Sequence, residues 1–91
     1  FEDLTALTQV KISTRAKLEM ARNYWDEMGR GREPGMHGPM LEKVAQEFNL
    51  SDCLDQTIVP EALALGNVML GLAMHRQYAY HSIGALGAIE L

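Results

Sequence analysis

A chain of 91 residues holds one domain at most, and it buries a smaller share of its surface than a longer chain would. Hydrophobic residues make up 47% of it, which favours a folded chain over a disordered one. The formal net charge of -4 excludes a basic nucleic-acid footprint and gives no electrostatic reason to bind an anionic membrane.

A first helix is predicted from Leu4 or Thr5 to Met28. Leu7, Val10, Leu18, Ala21, Trp25 and Met28 recur on one face, with Thr14 filling the gap in that row. Asp3 or Thr5 is its candidate cap. Gly29-Arg30-Gly31 ends it, because glycine takes the left-handed conformation past a helix end without steric cost. Arg30 to Gly38 is a loop with three glycines and one proline.

The second helix starts near His37 or Pro39, since proline suits a first turn. Its apolar residues are Met40, Leu41, Val44, Ala45, Phe48 and Leu50, and Asn49 closes it. Ser51 to Pro60 is a connection. Pro60 and Glu61 open a third helix that reads to Met74. A fourth, continuous with it or separate from it, reads from His75 to the chain end. Nothing alternates with period two, so the fold class is all-α, a helical bundle of about four helices in a single domain over 1–91. Gly66, Gly71, Gly84 and Gly87 fall inside the last two helices, and close helix packing is expected to offset their cost of roughly 1 kcal/mol each.

The apolar runs Ala62 to Met74 and Gln77 to Ile89 are shorter than the ~20 residues a spanning helix needs. Cys53 is the only cysteine, so no intrachain disulfide forms and a cytoplasmic setting is expected. Its plainest reading is an inert thiol. Both ends lack the usual start and stop signals, and a fragment of a longer chain is expected.

Three residues carry candidate chemistry. Glu27 lies at the edge of the first helix's apolar stripe, beside Met20 and Ala16 on the helical wheel. It reads either as a solvated carboxylate or as a ligand. A carboxylate at a helix C-terminus opposes the helix dipole, and a bound cation would remove that objection. His37 follows ten residues later, at the mouth of the second helix. Alone it is a cap or a surface residue; across a glycine-rich turn it can meet Glu27. Glu90 shares a face with Leu72, Ala79, Ile83, Leu86 and Gly87. It is either an exposed chain end or a carboxylate needing a partner. Oxygen and imidazole donors suit Fe or Mn, and Zn also accepts them. His75 and His81 point about 120° apart on a helix and would not share a metal. The methionines and Trp25 read as core. No catalytic residue and no organic cofactor site is assigned.

Asn23-Tyr24-Trp25-Asp26-Glu27-Met28-Gly29-Arg30-Gly31, then His37, Met40-Leu41 and Phe48-Asn49-Leu50, resembles the first motif of the haem-oxygenase-like diiron oxidases and oxygenases, or iron-containing redox enzymes. The stretch with Asn67, Leu70, His75-Arg76 and Gly84-Ala85-Leu86-Gly87-Ala88-Ile89-Glu90 is similar to the family's next helix, which ends in a ligand Glu. The resemblance implies a partial haem-oxygenase-like fold and iron ligation by Glu27, His37 and Glu90. It also implies two iron ions in the complete site and oxidation of a small-molecule substrate with O2. The family's further helix, with a His, an Asp four later and a His seven later, does not follow in this chain. A homodimer, or completion by a further segment, is expected. Arg30, Arg32, Arg76 and Tyr80 are available to a carboxylate substrate, with no role assigned. Two other readings remain: a metal-free helical binding or dimerisation module, and a cofactor-free, thiaminase-like hydrolase that would use Cys53.

Overall fold

The computed structural model describes residues 1–50 and 58–90. Five α-helices run through them: α1 (Glu2–Thr8), α2 (Thr14–Glu27), α3 (His37–Glu47), α4 (Pro60–Met74) and α5 (Ala79–Glu90). Short 3-10 turns lie at Gly29–Gly31, Glu33–Gly35 and Arg76–Tyr78. The described residues contain no strand, and the all-α expectation holds. Most of the expected connection after Ser51, with Cys53, lies outside the described residues.

The expected first helix is two helices. Lys11 takes a left-handed φ of 57°, and Ser13 is extended just before α2. Neither residue type signals a break, so the periodicity read across it. The consequence is a change of face: Val10, Leu18, Ala21 and Trp25 are exposed. The inward row of α2 is Ala16, Met20, Asn23 and Glu27, spaced by four, three and four. Trp25, expected in the core, is 55% exposed and lies against Gly31. The helix-start candidates Asp3 and Thr5 are both inside α1, whose N-cap is Phe1.

The later boundaries follow local chemistry. Asn49 adopts φ 55° after α3, with Leu50 N–H donating to Ala45 O and Asn49 N–H to Gln46 O. That pair of bonds is a Schellman closure, which asparagine tolerates. Pro60 opens α4 at its first position, with Glu61 in the first turn. His75 is extended, with φ -102° and ψ 111°, so α4 and α5 are separate rather than continuous.

α1 is the hub, lying against α4, α2 and α5. The core is Met20, Met69 and Leu86, with Phe1, Leu4, Ile12 and Ile83 packed around them. Thr5, Thr8 and Ser82 are buried polar residues within it. Thr8 Oγ1 donates to Leu4 O at 2.7 Å, so it accepts from the Ser82 hydroxyl, 2.6 Å away. Arg76 ties the same region together: its guanidinium donates to the carbonyls of Thr8 (3.1 Å), Val10 (2.7 Å) and Ala73. It therefore covers unsatisfied carbonyls at the ends of both α1 and α4.

The accessible surface of the chain is 6932 Å², about 1,600 Å² above the roughly 5,300 Å² expected for a compact monomer of this mass. Met40, Leu41, Val44, Phe48 and Leu50 of the α3 segment are exposed rather than buried. So are Leu63, Leu65, Val68 and Leu70 of α4. Among the described residues, a Cβ built on Gly66, Gly71, Gly84 or Gly87 meets nothing within 4 Å. Close packing of those glycines, the expectation from sequence, is therefore not what they provide. Among the described residues, no helix is long and apolar enough to cross a membrane.

Candidate metal centre

Glu27 and His37 are brought together by the turn between α2 and α3. Met28 and Met36 form an antiparallel bridge. In such a bridge the flanking residues also face one another, so Glu27 stands opposite His37 on one side and Gly29 opposite Gly35 on the other. The ten-residue spacing of Glu27 and His37 is a consequence of this pairing. The tip of the turn reverses the chain through three consecutive left-handed residues, Gly29 (φ 61°), Arg30 (φ 54°) and Gly31 (φ 79°). Arg30, the one without glycine's freedom, is anchored by Nε donating to Asp26 Oδ1 at 2.7 Å.

His37 Nδ1 and Glu27 Oε2 lie 2.7 Å apart. The Glu27 side chain is 13% exposed and that of His37 30%. An ionised carboxylate only accepts, so the proton between them belongs to Nδ1. The Phe1 ring stacks on the imidazole, with centroids 4.6 Å apart and planes 4° from parallel. That contact fixes the ring plane and keeps water from one face. Beside it, the Glu2 carboxyl is held below its ordinary value of 4.5, first by its own backbone amide. His37 adds to that effect.

Glu90 arrives separately. It shares its face of α5 with buried Ala79 and Leu86 and half-buried Ile83, as its spacing predicts. Its own side chain is exposed, and Oε2 accepts from Asn23 Nδ2 at 3.5 Å. Asn23 precedes Glu27 by one turn on the inward face of α2. The structure thus joins two of the three candidates directly and brings the third to the neighbouring turn. No group of three or more His, Cys, Asp or Glu side chains converges among the described residues.

The donor set fits a first-row divalent ion. Carboxylate oxygen and imidazole nitrogen are the donors such ions take. The pair also sits at the C-terminal end of α2, where the helix dipole favours positive charge.

The other titratable candidates have separate roles. His75 Nδ1 meets Gly71 O at 2.8 Å, and His81 stacks edge-on against Tyr78 with centroids 5.6 Å apart. Ser13 pulls the Tyr80 phenol below its usual value, first through its side chain and then through its backbone N–H, which donates to the hydroxyl at 3.2 Å. Asn23 and Arg76 lie within the motif stretches without an assigned role there, and Phe1 lies outside them. A further signal for Asn23 is its place in the row Ala16, Met20, Asn23, Glu27.

The architecture and this pair define a class: all-α proteins that offer oxygen and imidazole donors at a helix–turn–helix junction. The model of the iron-containing redox enzyme family, haem-oxygenase-like, matches residues 1–91, and the chain belongs to that family. No curated protein and no solved structure matches it. Membership implies a redox, oxygenase-like function and suggests iron.

Proposed function

We propose that the chain is part of a non-haem iron oxidase or oxygenase that acts on a small metabolite with O2. Glu27, His37 and Glu90 are its proposed iron ligands, and the complete site holds two ions. The observation that carries this reading is the 2.7 Å approach of Glu27 and His37, in a chain of this family. Bound iron would supply the redox chemistry with O2.

The chain's own residues set the conditions for binding. The glycine turn presents one carboxylate and one imidazole at a fixed separation. Phe1 shields the imidazole face. Asn23 holds the second carboxylate on the adjacent turn. The low exposure of Glu27 strengthens its attraction to a cation, because water screens it less.

Anaerobic titration with Fe(II), repeated with Mn(II) and Zn(II), tests the reading and separates the metals. Wild type should bind, and Glu27→Ala and His37→Ala should lose most of that affinity. Equal, negligible binding in all three proteins would overturn the proposal and leave a metal-free helical module.

A further inference from the structure

We infer that Asn23 is a positioning residue that presents the Glu90 carboxylate to the Glu27–His37 pair, with Thr5 anchoring the other side of its amide. This rests on the reading of those three residues as ligands.

Asparagine is a poor choice inside a helix, because its amide competes with the backbone. Asn23 sits ten residues into α2 and is half-buried, yet its amide bonds to two other helices. Oδ1 accepts from the Thr5 hydroxyl of α1 at 3.4 Å. Nδ2 donates to Glu90 Oε2 of α5 at 3.5 Å. Both bonds are long, so they orient rather than clamp.

The direction of the amide is determined by its partners. A carboxylate accepts only, so the NH2 must face Glu90 and the carbonyl must face the hydroxyl. Thr5 is 0% exposed and cannot move away without disturbing the packing of α1. Its buried position thus anchors the amide, whose direction the carboxylate sets.

One helical turn, about 6 Å, separates Asn23 from Glu27 along α2. Glu90 is thus held beside the residue that precedes Glu27 by one turn. Without Asn23 the Glu90 carboxylate would sample water from the last turn of α5. Ordering it would then cost conformational entropy at the moment of binding.

The test is anaerobic Fe(II) calorimetry on wild type, Asn23→Ala, Thr5→Val, Glu90→Gln and the double variant Asn23→Ala/Glu90→Gln. Asn23→Ala should weaken binding about tenfold, the scale of other supporting residues around metal ligands. Thr5→Val should act in the same direction and less strongly. In the Glu90→Gln background, Asn23→Ala should have no further effect, since its role runs through that carboxylate. Circular dichroism melting of the metal-free variants checks folding, and Asn23→Gln, which keeps the amide, serves if Asn23→Ala does not fold.

An undiminished Asn23→Ala effect in the Glu90→Gln background would overturn the inference. So would wild-type affinity in Asn23→Ala when Glu27→Ala has lost binding, and in that case the proposed function stands. Wild-type affinity in Glu27→Ala and His37→Ala would instead remove the ligand reading itself.

Discussion

Gly29 and Gly35 approach so closely that a Cβ on Gly29 would lie 2.5 Å from the carbonyl carbon of Gly35. Both the contact and the φ of 61° exclude a side chain there, and the obstructing atoms are backbone. Gly29→Ala should therefore destabilise the protein by about 2–4 kcal/mol, combining left-handed strain with overpacking. Gly31→Ala meets only the tip of the Trp25 ring at 3.0 Å, which can yield, so about 1–2 kcal/mol is expected. Urea denaturation of both variants checks the order. Fe(II) affinity should fall more in Gly29→Ala, because that turn sets the distance between Glu27 and His37.

The Thr8–Ser82 hydroxyl pair makes a second prediction. Thr8→Val leaves the Ser82 hydroxyl buried without its acceptor, which should cost about 1–3 kcal/mol. Adding Ser82→Ala removes the stranded group and should recover part of the loss. A denaturant cycle over the two single variants and the double variant reads the coupling.

Glu2 gives the pH dependence. Its folded-state value lies below the ordinary 4.5, so the unfolded chain holds this proton more tightly than the folded one. The resulting stabilisation is present above 4.5 and is lost as the pH falls through the folded value. The melting temperature of wild type should exceed that of Glu2→Gln near neutrality. The difference should shrink once the pH drops below 4.5.

Two copies of this chain are expected to associate through the exposed apolar residues of α3 and α4. Phe48, 71% exposed, marks the face, whereas Met20 lies in the core. The melting temperature of wild type should rise with protein concentration, and Phe48→Glu should abolish that rise. Met20→Ala should lower it at every concentration, by about 2–5 kcal/mol in stability. A light-scattering mass of one chain at all concentrations would sink the association.

Features that depend on neighbouring residues are legible along the chain. Pro60 at a first turn and Asn49 past a last one placed the start of α4 and the end of α3, because each residue's own backbone preference acts there. The bounds of α4 and the start of α3 at His37 were legible for the same reason. So was the meeting of Glu27 with His37, since a glycine-rich reversal between two helix ends is a local event.

Packing between distant elements set the rest. The break after Lys11 has no proline or glycine to announce it, so one apolar row was read through two helices. Threonines took buried positions in α1 because Ser82 and Asn23, far along the chain, supply their hydrogen bonds. Arg76 became a tie between α1 and α4 because carbonyls at both ends lacked donors. Glu90 came to rest beside Asn23 because α5 packs against α1 in the same assembly as α2. Helical periodicity records which residues share a face of one element, whereas a polar group's burial depends on partners that other elements bring.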